Sequence, residues 1–183
     1  MPENLGAESA LLIAVPAAEA VVSGHRQRHD PAARVGVPAH LTVAYPFTPV
    51  DLLTESDLEA LRGLFAGFPA FEVTLSSTGW FGDEVLFLDP DEQGRLLALI
   101  DAVGDAFPDH PIYGGIHPDV HAHLTVGDGA GREVLAAVER EVRQHLPLRQ
   151  RVEAVELWQG PPPRSGRGRW SPVTAFPLGP AHP

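Results

Sequence analysis

The tetrapeptide His40-Leu-Thr-Val43 occurs a second time as His123-Leu-Thr-Val126, and this repeat determines how the rest of the chain is interpreted. Both copies fall in short apolar stretches of the kind that form β-strands. Side chains two positions apart share one face of a strand, so each copy presents its histidine and threonine together and its leucine and valine on the opposite face. If the two strands lie near each other, two imidazoles and two hydroxyls line one groove.

This set of side chains suits phosphoryl transfer. Histidine has an unperturbed pKa of about 6.5, so one neutral imidazole can accept a proton while a second, charged imidazole donates one. Hydrolysis of a cyclic phosphate needs both acts, because water must be activated and the leaving oxygen protonated. The threonine hydroxyls can donate hydrogen bonds to the nonbridging oxygens. The scheme requires no metal and no other cofactor.

The segment Pro38-Ala-His-Leu-Thr-Val-Ala-Tyr-Pro-Phe47, with the second His-Leu-Thr-Val half a chain later, resembles the two-histidine phosphoesterase superfamily. Within it, the nearest likeness is to the 2′-5′ RNA ligase-like proteins, or RNA 2′,3′-cyclic phosphodiesterases. The resemblance implies metal-independent action on 2′,3′-cyclic or 2′-5′ phosphodiesters. Carried over by position, it implies that His40 and His123 are acid and base and that Thr42 and Thr125 hold the phosphate. Ala122 stands where proline is more usual, which leaves the chemistry unchanged.

The hydrophobic periodicity predicts an α+β chain with helices outside a largely antiparallel sheet. The resemblance adds a duplicated, two-lobed fold with the active groove between the lobes. We expect one domain over residues 1–183, with a loose tail from about residue 177. Predicted strands cover residues 9–15, 39–45, 71–75, 84–88, 121–126, 152–158 and 170–176. Predicted helices cover residues 17–29, 54–67, 91–107 and 132–146, and the segment Thr54-Glu-Ser-Asp57 is typical of a capped helix start.

Composition and charge narrow the possible functions. The 183 residues include no cysteine, which excludes disulfides, thiolate catalysis and cysteine-based metal sites. All 13 basic residues are arginine, so a P-loop lysine and lysine-nucleotidyl chemistry are excluded. A net charge of −11 disfavours tight binding of long nucleic acids.

The apolar run over residues 10–15 is too short to span a membrane, and acidic rather than basic residues precede it. We therefore expect a cytoplasmic monomer that acts on a small nucleotide or a short RNA end.

Several further side chains are candidates for substrate contacts. His121 shares a strand face with His123, and Arg34 precedes the first motif. Tyr45 and Phe81 can stack on a base, and Phe81 is the better candidate because it precedes a predicted hairpin turn at Gly82. Other arginines that could bind phosphate are Arg26, Arg28, Arg164, Arg167 and Arg169.

Two alternatives remain open at this point. In the first, the protein is a zinc hydrolase that uses His121 and His123, with further ligands from His110, His117 or the pair His29 and Asp30. This alternative leaves the matching first motif unexplained. In the second, the protein binds nucleotides or phosphoesters without catalysis.

Overall fold

The computed structural model describes residues 6–110 and 119–181 and shows an α+β fold with two four-stranded antiparallel sheets. The strands are β1 (Glu8–Ala14), β2 (His40–Phe47), β3 (Phe71–Phe81), β4 (Val85–Pro90), β5 (Leu124–Asp128), β6 (Leu148–Val152), β7 (Ala154–Gly160) and β8 (Ser171–Pro177). The α-helices are α1 (Pro16–His29), α2 (Pro31–Arg34), α3 (Glu55–Ala66), α4 (Gln93–Ala106) and α5 (Arg132–Val142). The predicted fold class is confirmed.

The two sheets have matching strand orders. The first lobe has the order β2-β1-β7-β8, and the second has the order β5-β4-β3-β6. In each lobe a strand leads into a long helix and the chain returns as the antiparallel edge strand, through β1-α1-β2 and β4-α4-β5. The two copies of the tetrapeptide therefore lie at corresponding places, His40 to Val43 in β2 and His123 to Val126 at β5.

The helices connect the lobes. Helix α1 follows a strand of the first lobe yet packs against β5, and α4 follows a strand of the second lobe yet packs against β2. Strand β1 is buried on both faces, with Leu11 and Ile13 in the main core and Ala10 and Leu12 in a smaller cluster around Trp170. This double burial explains why residues 10–15 form a continuous apolar run.

Local sequence signals set several element boundaries. Thr54 caps α3 and forms a reciprocal capping box with Asp57, as the sequence predicts, while Leu61 and Phe65 of that helix are buried. Helix α5 stops at Val142 and continues as a 3₁₀ turn, so it is shorter than predicted. Within the part of the chain that the structure describes, no helix has the length and apolar character needed to cross a membrane.

Two sequence predictions are wrong. The sequence pattern places no strand over residues 148–152, yet they form β6, which pairs with β3 at the edge of the second sheet. The expected loose tail is held in place at Leu178 and Gly179. The Leu178 N–H donates to the Glu153 carbonyl at 2.8 Å, and the Gly179 N–H donates to the Phe68 carbonyl at 2.7 Å.

Candidate active site

The two copies of the tetrapeptide have the same pattern of burial. Leu41 and Val43 are buried in the core, as are Leu124 and Val126, whereas both histidines and both threonines are half-buried. The alternation predicted from strand geometry is confirmed in both copies.

The two histidine rings are also held in the same way. The His40 Nδ1 atom lies 2.7 Å from the Pro38 carbonyl oxygen, and the His123 Nδ1 atom lies 2.7 Å from the His121 carbonyl oxygen. A carbonyl oxygen only accepts, so Nδ1 carries the hydrogen in both rings. When a ring is neutral its Nε2 atom therefore has a free lone pair. Among residues 6–110 and 119–181, no side chain or backbone group forms a hydrogen bond with either Nε2 atom.

A β-bulge follows each threonine. In β2, Leu12 pairs with Thr42 and Leu11 pairs with Ala44, so Val43 is skipped. In β5, Phe87 pairs with Thr125 and Leu86 pairs with Gly127, so Val126 is skipped. A bulge shifts the alternation of faces by one residue, which lets a side chain three positions after the threonine share its face. Those side chains are Tyr45 and Asp128.

A cavity of about 820 Å³ opens beside the second motif, a volume typical of sites for small molecules. The second motif contributes His123, Thr125 and Asp128, and β2 contributes Tyr45. The remaining described lining residues are Asp30, Pro31, Ala32, Trp80, Phe81, Gly82, Val85, Asp119, Val120, His121, Pro162, Pro163 and Arg164.

The structure brings five of the eight candidate residues to this cavity. Phe81 is partly exposed, and its ring lies edge-on to His123, with 4.8 Å between the ring centroids. The Tyr45 hydroxyl donates to a carboxylate oxygen of Glu8 at 2.5 Å. The five lining residues are His121, His123, Thr125, Tyr45 and Phe81.

The other three candidates are placed differently. His40 and Thr42 lie half-buried on β2, which contacts β5, but they are not among the described lining residues. Arg34 does not line the cavity either. Its guanidinium donates to the carbonyls of Gln27 and Arg28 at the end of α1, so the structure gives no support for its predicted contact with substrate.

The surroundings lower the pKa of both histidines, to different extents. Burial is the largest cause for His40, and the positive charge of Arg26 adds to it, so its pKa falls to about 3. Burial is also the largest cause of the lowered pKa of His123, and the positive charge of His121 adds to it, whereas the hydrogen bond to the His121 carbonyl and the negative charge of Asp89 act in the opposite direction. A positive charge on His123 also lowers the pKa of His40. Of the two rings, His123 therefore has the more favourable surroundings for a proton.

Arg26 is itself an internal structural group. It is 2% exposed, and its Nη2 atom lies 2.8 Å from Asp30 Oδ2. Its Nη1 atom donates to the Val37 carbonyl at 3.2 Å. These contacts engage the guanidinium inside the protein, close to the first motif.

Two residues that the sequence did not identify hold the peptide immediately before each histidine. The Glu19 carboxylate, on the first turn of α1, accepts a hydrogen bond from the Ala39 N–H at 2.6 Å. The Gln93 side-chain carbonyl, on the first turn of α4, accepts one from the Ala122 N–H at 3.0 Å, and its amide donates back to the Ala122 carbonyl at 2.7 Å. The two lobes thus support their histidines in matching ways.

The zinc alternative has a limited set of ligands. The His121 Nε2 atom lies 2.9 Å from Asp89 Oδ1 and 3.2 Å from the Gln93 amide nitrogen. No group of three or more histidine or acidic side chains suited to a metal is present among the described residues. His117, a further ligand of that alternative, lies outside the described residues.

The comparisons with known proteins agree with this architecture. Residues 14–161 match the model of a family described as the 2′-5′ RNA ligase superfamily. The chain is similar to Escherichia coli LigT, crystallised with 3′-AMP, at 22% identity and a TM-score of 0.59, over 94% of this chain and 98% of that one. It is also similar to TT0787 of Thermus thermophilus, at 18% identity and a TM-score of 0.59, over 96% of this chain and 100% of that one. No curated protein matches the chain.

Proposed function

This chain belongs to the 2′-5′ RNA ligase superfamily, and from that premise we propose that it is a metal-independent phosphodiesterase that hydrolyses a 2′,3′-cyclic or 2′-5′ phosphodiester. The substrate is a nucleotide or a short RNA end, and the reverse reaction is ligation. His40 and His123 act as acid and base, and Thr42 and Thr125 hold the phosphate.

The observation that carries this proposal is the matched state of the two histidines. Both rings donate from Nδ1 to a carbonyl two residues earlier, so both use Nε2 for proton transfer. In hydrolysis, one neutral Nε2 takes a proton from water as the new P–O bond forms. The other ring, protonated at Nε2, gives its proton to the leaving oxygen as the old P–O bond breaks. The cyclic phosphate becomes a monoester and the two rings exchange charge states.

The surroundings of the rings support a division of roles. Burial and the positive charge of Arg26 disfavour a proton on His40 more strongly than burial and the charge of His121 disfavour one on His123, so His40 is the base in hydrolysis and His123 is the acid. A bound phosphodiester adds a negative charge, which raises the pKa of both rings relative to the free protein. The roles swap in the direction of ligation.

The cavity supports a nucleoside substrate. Phe81 offers a ring beside His123, and Tyr45 and His121 line the same space. Stacking of a base on such aromatic rings is tolerant of base identity. Structures of LigT from Escherichia coli with 3′-AMP and with ATP add support for a nucleotide ligand.

The direct test is hydrolysis of nucleoside 2′,3′-cyclic monophosphates and of short RNAs with a cyclic phosphate end, in the presence of EDTA. We compare wild type with His40→Ala, His123→Ala and the control His145→Ala, which removes an exposed histidine from a 3₁₀ turn. We expect turnover with EDTA present, a loss of about 100-fold or more in each motif variant, since general acid–base catalysis contributes on that scale, and no loss in the control.

The alternatives give different results in the same experiment. A zinc hydrolase that uses His121 and His123 loses activity with EDTA and regains it with zinc. A protein that only binds phosphoesters shows tight product binding without turnover. Near wild-type activity in either His40→Ala or His123→Ala contradicts the paired mechanism.

A further inference from the structure

Asp128 and Arg164 form an ion pair between the two lobes at the wall of the cavity. Arg164 lies in the 3₁₀ turn Pro163–Ser165, between two strands of the first lobe, and Asp128 ends β5 of the second. The Arg164 Nη2 atom is 2.6 Å from Asp128 Oδ2, and both residues line the cavity.

The backbone fixes the position of Asp128. The bulge at Val126 allows Asp128 to share the face of Thr125, and the neighbouring Gly127 packs closely against Leu135. A Cβ atom at residue 127 would lie 2.4 Å from Leu135 Cδ2, which is far inside contact distance. Arg164 is held less firmly, because 74% of its side chain is exposed compared with 24% of the Asp128 side chain.

The ionisable groups of the cavity wall include three carboxylates, two imidazoles, one phenol and one guanidinium among the described residues. Asp30, Asp119 and Asp128 line it, and Asp30 is already paired with Arg26. Arg164 is the one arginine among the described lining residues, and Asp128 neutralises it. The described wall therefore offers protonated histidine and hydroxyl groups to one phosphate, but no uncompensated guanidinium to a second.

We propose that the Asp128–Arg164 pair makes this site selective for substrates whose reacting phosphodiester is their sole anionic group within the cavity. The inference rests on the proposed function and narrows its substrate class. Nucleoside cyclic phosphates with a free 5′-hydroxyl are accepted, and those with an additional 5′-phosphate are disfavoured. A second phosphate enters a site whose described wall offers it no free guanidinium, and the cost of removing this charge from water without a partner is enough to account for about a tenfold difference.

The two partners of the ion pair have opposite effects on this selectivity. Arg164→Gln leaves the Asp128 carboxylate uncompensated, which strengthens the repulsion of a second phosphate. Asp128→Asn frees the Arg164 guanidinium, which can then pair with that phosphate. A merely structural effect of breaking the contact between the lobes would change the selectivity of both variants in the same direction.

The experiment measures kcat/KM for adenosine 2′,3′-cyclic phosphate and for its 5′-phosphorylated form. We expect wild type to prefer the first by about tenfold, Arg164→Gln to increase the preference about tenfold again, and Asp128→Asn to reduce it to about one. The control is Arg62→Gln, which removes an exposed arginine of an ion pair on α3 and leaves the ratio unchanged. Equal use of both substrates by wild type, or a shift in the same direction in both variants, overturns the proposal.

A second readout separates this proposal from the proposed function. Calorimetry compares the binding of adenosine 2′-phosphate with that of adenosine 2′,5′-bisphosphate to the same four proteins, without any need for turnover. If no cyclic phosphate is hydrolysed but the ratio of affinities follows the expected order, the selectivity holds and the catalytic proposal fails. If hydrolysis occurs and both products bind equally well, the selectivity fails and the catalytic proposal stands.

Discussion

Replacing Glu19 tests whether the peptide before His40, a histidine proposed to be catalytic, must be held in place. In Glu19→Ala the N–H of Ala39 loses its carboxylate partner at 2.6 Å, and Ala39 is fully buried. An unsatisfied buried donor costs about 1–3 kcal/mol of stability. The larger effect is on catalysis, because a displacement of the reacting groups by about 1 Å can lower a rate on the order of 100-fold. We expect kcat to fall about 10- to 100-fold with KM little changed.

The conservative variants distinguish a positioning role from a general loss of stability. Glu19 only accepts a hydrogen bond from Ala39, so Glu19→Gln, which keeps an amide oxygen at that place, should restore most of kcat. Gln93 both accepts and donates, and its amide nitrogen lies 3.0 Å from Asp89 Oδ1. In Gln93→Glu, a second carboxylate replaces that donor beside Asp89. We therefore expect Gln93→Glu to be as slow as Gln93→Ala, because a carboxylate cannot donate to the Ala122 carbonyl and is repelled by Asp89.

Steady-state kinetics with a 2′,3′-cyclic nucleotide, together with urea denaturation, measure both effects. The alanine variants are compared at a temperature at which denaturation shows them to be fully folded. If Glu19→Gln is as slow as Glu19→Ala, or if Gln93→Glu is as fast as wild type, the hydrogen bonds to the preceding peptides do not set the positions of the histidines. A loss confined to stability would likewise contradict the reasoning.

The lowered pKa values of the histidines lead to two further predictions. In the free enzyme, kcat/KM should decline with rising pH at a pKa below 6.5, because His123 loses its proton there. His40 stays neutral down to about pH 3 and can act as the base throughout this range. A decline centred above about pH 7 contradicts this prediction. The unfolded chain binds a proton at His40 below pH 6.5 and the folded chain does not, so stability falls with falling pH. Urea denaturation measures the free energy of unfolding at about pH 7 and about pH 5. Between these pH values we expect His40→Asn to lose about 2 kcal/mol less of this free energy than wild type. An equal loss in both proteins contradicts the prediction.

The strands and helices that bury an apolar face could be predicted from sequence because their periodicity is local. The run over residues 10–15 predicted β1, and the Thr54 capping box predicted the start of α3. Strand β6 has no such signal, because the polar Gln150 stands between Leu148 and Val152 on one face and interrupts the apolar alternation. The strand is stabilised by pairing with β3. The anchoring of Leu178 and Gly179 depends on partners at Glu153 and Phe68, which become neighbours only in the folded chain.

The site shows the same division between local and distant information. The repeated tetrapeptide predicts which side chains share a face, and the structure confirms the alternation. A strict period of two places Tyr45 on the face opposite Thr42, so its presence in the cavity follows from the bulge at Val43. The place of Asp128 in the cavity depends in the same way on the bulge at Val126. Glu19 and Gln93 lie 20 and 29 residues from the peptides they hold, so only the fold identifies them.

The duplication and the departures from it have different consequences for function. The two copies share a strand position, a ring tautomer, a bulge and a support from the first turn of a helix. Both histidine rings are therefore held in the same way, with Nδ1 donating to a carbonyl two residues earlier. Two rings in identical surroundings would have equal affinities for a proton, whereas hydrolysis requires one to give while the other takes. That difference comes from the stronger effect of burial at His40, to which the charge of Arg26 adds, and from the smaller lowering of the pKa at His123. The residues that the two bulges bring to the face of the threonines differ as well, with a phenol at Tyr45 and a carboxylate at Asp128. The shared features therefore account for the pairing of the histidines, and the residues that break the symmetry account for the proposed division of roles and choice of substrate.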